Sequence, residues 1–180
     1  VEREADFIMV GNVNFNLENG YDYKTEATQK IIPINIDESN PSIFNANNAP
    51  ICLPEMPCPS DGILKAVLSW SGKILDQDRA SIGDQWQSVK VRLGGSGAYT
   101  NVTANASFIN DDVKFADAKG IYNCHADLTA FFNTAINNNQ VGSTTFTVAN
   151  LQSSCDSYTE GEISTKFGGW TLTIIYQKKG

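Results

Sequence analysis

Short runs in which apolar and polar residues alternate recur along this chain, the period of a strand with one face in a core and the other in water. In Ser88 to Leu93, Val89, Val91 and Leu93 fall on one side and Lys90 and Arg92 on the other; Gly94-Gly95-Ser96-Gly97 then supplies a turn. Near the C-terminal end Trp170, Leu172, Ile174 and Tyr176 share one face, with Thr171 and Thr173 on the opposite one. The same period predicts strands over 6–14, 30–37, 63–70, 99–109 and 144–149. Strands separated by polar turns, without the long helical spacers of a parallel sheet, predict an all-β antiparallel β-sandwich of jelly-roll or Ig-like type.

One segment departs from that rhythm. Leu128, Phe131, Phe132, Ala135 and Ile136 follow the i, i+3, i+4, i+7, i+8 stripe of an amphipathic helix. A single short α-helix is therefore expected over Ala126 to Asn137, ended by Asn137-Asn138-Asn139 and capping one open end of the sandwich. The stretch from Asn40 to Pro59 is rich in Asn and Pro and reads as a long loop.

The 180 residues, 41% of them hydrophobic, are enough for one ordinary core and not for two. The domain is taken as 1–180, with 1–61 an N-terminal extension or first strands and 62–180 the main body, expected to be part of a longer chain. A net charge of −7 argues against nucleic acid as a partner, because affinity for phosphate backbones rests on Lys and Arg. The longest strongly apolar runs, Gly62 to Trp70 and Trp170 to Tyr176, are far shorter than the ~20 residues of a membrane-spanning helix, so no membrane insertion is expected.

Four cysteines, Cys52, Cys58, Cys124 and Cys155, permit three complete pairings. Pro54, Pro57 and Pro59 bend the segment around Cys52 and Cys58, which favours pairing those two and hence Cys124 with Cys155. Zinc is disfavoured, since no C-x-x-C spacing occurs and the only histidine, His125, sits beside Cys124. Disulfides, together with a low charged fraction, point to an oxidising place such as the periplasm or the cell exterior.

Candidate chemistry is sparse. Any Ser-His-Asp arrangement must use His125, no G-x-S-x-G turn is present, and Gly94-Gly95-Ser96-Gly97 lacks the lysine of a phosphate loop. The chain is not expected to be an enzyme or to need a cofactor. Calcium is the candidate cation, because hard ions take loop carboxylates: Asp76, Asp78 and Asp84 fall in the loop after the Trp70 strand, and Asp111 and Asp112 follow the Ile109 strand. Neither group has the twelve-residue EF-hand pattern. Trp70 and Trp86 are expected in the core, not as platforms for sugars. Asn101-Val102-Thr103 and Asn105-Ala106-Ser107 match the glycosylation acceptor pattern, a three-residue pattern that is expected here by chance.

Four segments carry a resemblance. Ala66-Val67-Leu68-Ser69-Trp70-Ser71-Gly72, Val89-Lys90-Val91-Arg92-Leu93, Tyr122-Asn123-Cys124-His125-Ala126-Asp127-Leu128-Thr129 and the closing Gly168-Gly169-Trp170-Thr171-Leu172-Thr173-Ile174-Ile175-Tyr176 keep their order over about two thirds of the chain. Together they resemble the β-sandwich domains of secreted and cell-surface bacterial adhesins, including the gliding-motility-type surface adhesins of Bacteroidetes. The resemblance implies a non-catalytic stalk or tip module that attaches to an extracellular polysaccharide or surface, or to other domains of the same long adhesin. Residues 1–61 lie outside it, and it assigns no ligand residue. Two other readings compete: a carbohydrate-binding module of a secreted polysaccharide-degrading enzyme, and a filament or assembly subunit.

Overall fold

The computed structural model describes residues 5–13, 15–17, 31–33, 46–52, 62–111, 120–137, 143–154 and 168–177. Eleven strands appear among them: β1 (Ala5–Val13), β2 (Phe15–Leu17), β3 (Ile31–Pro33), β4 (Asn47–Cys52), β5 (Ile63–Lys73), β6 (Ser88–Leu93), β7 (Thr100–Thr103), β8 (Ala106–Ile109), β9 (Ile121–Asp127), β10 (Ser143–Ala149) and β11 (Gly168–Gln177). Helix α1 (Asp76–Ile82) and a 3-10 turn (Gln85–Gln87) join β5 to β6, and helix α2 (Thr129–Asn137) joins β9 to β10. One sheet runs β1-β11-β5-β9-β8, a second runs β4-β10-β6-β7, and β2 pairs with β3. Every ladder is antiparallel. The fold is thus all-β and sandwich-like, as the alternation predicts.

The alternation decides which side chains go inward. Along β5 the inward set Ala66, Leu68 and Trp70 is buried, and along β11 so are Trp170, Leu172 and Ile174. The four-stranded sheet answers with Ile51, Val89, Val91, Phe146 and Val148. Phe146 of β10 meets Trp170 of β11 edge-on at 5.6 Å between centroids, which seats the two sheets against each other. At one end α2 lays Phe132 on Phe146 at 5.7 Å. At the other, the chain after β10 is tied to the end of β5: the Ser154 amide donates to Lys73 O at 2.9 Å and the Leu75 amide donates to Ser154 Oγ at 2.9 Å. All three tryptophans are buried, and the Trp70 indole donates to Trp86 O at 3.0 Å.

Several expectations are corrected. The Asn40 to Pro59 stretch, read as a loop, contains β4, whose Ala49 and Ile51 are buried while Asn48 and Pro50 face out. Pro50 is tolerated because β4 is an edge strand. The single strand expected over 99–109 is two, and Ala104 and Asn105 carry the chain from one sheet to the other. The segment after the Trp70 strand, expected as a loop, contains α1, so among the described residues two α-helices accompany the sheets in place of one. Helix α2 begins at Thr129, not Ala126, because Ala126 and Asp127 still pair with Leu68 and Val67 in the sheet. Of the strand expected over 30–37, β3 covers 31–33 and the rest lies outside the described residues.

Candidate functional site

The outward positions of the five-stranded sheet are polar or small over its centre. Strand register places Gly11, Thr171, Ser69, His125 and Ala106 in one row across all five strands. The adjoining row holds Gly169, Ser71, Asn123 and Phe108. From β1 to β9 these two rows floor an open hollow of about 660 Å³, to which Gly11, Ser69, Ser71, Asn123, His125 and Thr171 contribute, and Ala106 and Phe108 on β8 lie beyond its lining. Gly11 is required for the close approach of the edge strand, since a Cβ there would lie 2.5 Å from Trp170 O.

Within the hollow Ser69 Oγ and His125 Nδ1 are 2.9 Å apart and hydrogen-bonded. A nucleophile and its base would need a third group to orient the base and free amides to receive an oxyanion. Among the described residues no carboxylate is bonded to the His125 ring. Ser69 and His125 also sit on interior strands, each flanked on both sides by a paired neighbour, so the backbone amides there are spent on the ladders. What the arrangement offers is a set of groups that both donate and accept: the hydroxyls of Ser69, Ser71 and Thr171, the Asn123 amide and the His125 ring.

Beside the hollow, Asp127 closes the join between β9 and α2. Its carboxylate receives the Lys65 ammonium at 2.6 Å, the Thr129 amide at 2.9 Å and the Thr129 hydroxyl at 2.5 Å. The Lys65 contact first, and then the two from Thr129, hold the Asp127 carboxyl well below the usual carboxylate range. Thr129 Oγ1 in turn accepts the Ala66 amide at 3.0 Å. The Lys65 and Asp127 charges therefore offset each other, and the join between β9 and α2 is firmly tied.

The acidic groups expected to hold calcium are only partly brought together. Asp76, in the first turn of α1, and Asp111, after β8, converge, but on Arg79: its Nε lies 3.2 Å from Asp76 Oδ1 and its Nη2 contacts Asp111 Oδ1. A guanidinium thus stands between carboxylates that a dication would have to share. Asp78 lies on the same helix, where its carbonyl accepts the Ser81 hydroxyl at 2.8 Å, and Asp84 begins the 3-10 turn, its carbonyl accepting the Gln87 amide at 3.0 Å. Asp112 lies outside the described residues. Among the described residues no three His, Cys, Asp or Glu side chains are grouped to hold a metal ion.

The expected bridge between Cys124 and Cys155 is not formed, for Cys124 carries a free, buried thiol. It faces the core opposite Trp70 and its Sγ lies 3.6 Å from Trp86 O, an acceptor it shares with the Trp70 indole. Burial pushes the Cys124 thiol up to about 12. Cys52 ends β4, whereas Cys58 and Cys155 lie outside the described residues, as does the expected bridge from Cys52 to Cys58.

Comparison with protein-family models, with curated proteins and with solved structures returns no match. The hollow itself is therefore the basis of the functional reading. Sequence reasoning passed over Ser69, Ser71, Asn123 and Thr171, although each is an outward position of an alternating strand, and over Phe108 on the edge strand β8. The common signal of the first four is being small or polar at every second residue.

Proposed function

We propose that this chain is a non-catalytic binding domain of an exported bacterial cell-surface adhesin, which attaches its parent protein to a glycan or glycan-coated surface. The observation that carries this reading is the open hollow on the outer face of the five-stranded sheet, floored by hydroxyl, amide and imidazole groups on paired strands. A rigid, shallow, polar surface suits reversible attachment to a hydroxyl-rich polymer. The adhesin-like segments support it as well, since β5, β9 and β11, which build the hollow, are the strands that carry three of the four. A secreted protein on the outer cell surface fits this reading, with polysaccharide or other adhesin domains as partners. Of the two sandwich types, a jelly-roll is the one we propose, a reading supported by the changes of sheet between β4 and β5, β5 and β6, β7 and β8, β9 and β10, and β10 and β11.

A carbohydrate-binding module of a secreted polysaccharide-degrading enzyme is the second reading, favoured by the exposed Phe108 beside the hollow. A catalytic domain in the same polypeptide would distinguish it. The test of the adhesin reading is attachment and spreading of cells whose parent protein lacks this domain while still reaching the surface. Loss of attachment is expected; attachment equal to that of the parent strain would overturn it.

A further inference from the structure

Resting on that attachment reading, we infer that the hollow is a trough for the internal segment of an uncharged, linear glycan, lying across the strands with one sugar ring stacked on Phe108. The direction follows from the register. Gly11, Thr171, Ser69, His125 and Ala106 form a row of modest side chains from one edge of the sheet to the other, and with strands ~4.8 Å apart the row spans roughly 19 Å. That length takes several sugar rings in a chain, and Ala106, small and exposed, leaves the β8 end unblocked.

The chemistry of the floor selects the ligand. Ser69, Ser71, Thr171, Asn123 and His125 can each both donate and accept, which matches sugar hydroxyls, themselves both donors and acceptors. No Lys, Arg, Asp or Glu occurs in either floor row among the described residues. In the next row outward Asp127 is already neutralised by Lys65. A charged polymer would find no counter-charge in such a floor, whereas a neutral one loses nothing by that.

Phe108 supplies the apolar half of the recognition. It is 63% exposed, and it stands cross-strand from Asn123, so its ring borders the polar floor at side-chain neighbour distance. A large aromatic left in water at the rim of a polar hollow gives the C–H face of a sugar ring something to cover while its hydroxyls reach Asn123 and His125. Phe7 has the same exposure, 62%, but its register partners are Ile175 and through it Lys65, two rows away from the trough. It serves as an internal control.

The experiment is calorimetric titration of the whole chain with neutral linear oligosaccharides of increasing length, from monosaccharide to hexaose, in the β-1,4-glucose, β-1,3-glucose, α-1,4-glucose, β-1,4-mannose and β-1,4-xylose series. At least one series is expected to bind with an affinity that climbs with length and levels off once the chain outgrows the trough. Phe108→Ala should weaken the hexaose about tenfold, the worth of one aromatic stack, and Phe7→Ala should leave it unchanged. Thr171→Phe, which fills the centre of the floor, should abolish binding; because it could also disturb folding, its melting curve is compared with that of the parent, and Phe108→Ala, an exposed truncation, tests the same trough independently. Affinity that is indifferent to length, a hexaose that binds Phe108→Ala as tightly as the parent chain, or failure of all the hexaoses to bind would each overturn the trough. If cells still need the domain for attachment when the hexaoses fail, the attachment reading stands and the trough alone falls.

Discussion

Position 72 leaves no room for a side chain, and the reason is a buried tyrosine on the neighbouring strand. A Cβ built on Gly72 would lie 2.8 Å from Tyr122 Oη, 2.9 Å from Tyr122 Cε1 and 2.8 Å from Gln152 O. Tyr122 is wholly buried and its hydroxyl donates to Gln152 O at 2.6 Å, which fastens the segment after β10 over the end of the core. Gly72→Ala must push the ring or the Gln152 carbonyl aside. Overpacking of this kind costs about 1–3 kcal/mol, and losing the hydrogen bond adds about 1 kcal/mol, for a total of about 2–4 kcal/mol. Tyr122→Phe alone removes the same hydrogen bond and leaves Gln152 O without this donor, at about 1–2 kcal/mol. In the double variant the hydroxyl that meets the new Cβ is gone, and one hydrogen bond cannot be lost twice. The double variant should therefore be less destabilised than the sum of the singles, by at least about 1 kcal/mol. Urea unfolding followed by tryptophan fluorescence reads this directly, since Trp70, Trp86 and Trp170 are buried and the Trp86 ring lies 5.4 Å from that of Tyr122. Additivity to within about 0.5 kcal/mol would refute the steric account.

Other expectations are as specific. Gly120 has φ +79° and a Cβ there would lie 2.1 Å from Ile74 O, so Gly120→Ala should destabilise more than Gly72→Ala, measured in the same urea series; an equal or smaller effect would refute it. Because the folded Asp127 carboxyl is held below its unfolded value, its stabilising contribution is complete above that value, about 3.9, and is lost as pH falls below it. The stability gap between the parent chain and Asp127→Asn should therefore narrow on going from about pH 6 to about pH 3, and a gap that stays constant would count against the Lys65 and Thr129 contacts. Buried, with its thiol raised to about 12, Cys124 should resist alkylation in the native protein and react in urea; peptide mapping that found it bridged to Cys155 would overturn the free-thiol assignment. With Arg79 between Asp76 and Asp111, calcium should leave the melting temperature of the parent chain unchanged, while Arg79→Met should make it calcium-dependent; calcium stabilisation of the parent chain would contradict the first half.

The strands with strict alternation were legible in the sequence because burial of one face imposes a period of two: Val89 and Val91 in β6, and Trp170, Leu172 and Ile174 in β11, are buried where the pattern puts them. The stripe of α2 was legible for the same kind of reason, though not its start, since Ala126 and Asp127 satisfy a strand as well as a helix and pairing with β5 decides between them. Strand β9 has the same alternation, with Tyr122, Cys124 and Ala126 inward and Asn123, His125 and Asp127 outward, yet it was not among the strands expected. Strand β4 was hidden by Pro50, which speaks against a strand until an edge position makes it harmless. The hollow could not be read at all. Its floor joins positions 11, 171, 69 and 125 side by side, and that order comes from strand pairing, not from sequence. Local pattern depends on neighbours two to four residues apart, so the chain by itself determined most of the elements and which faces turn inward. Which outward faces meet, that Cys124 lies under Trp86, and that Asp76 and Asp111 share one arginine are long-range outcomes, and only the packed structure decided them.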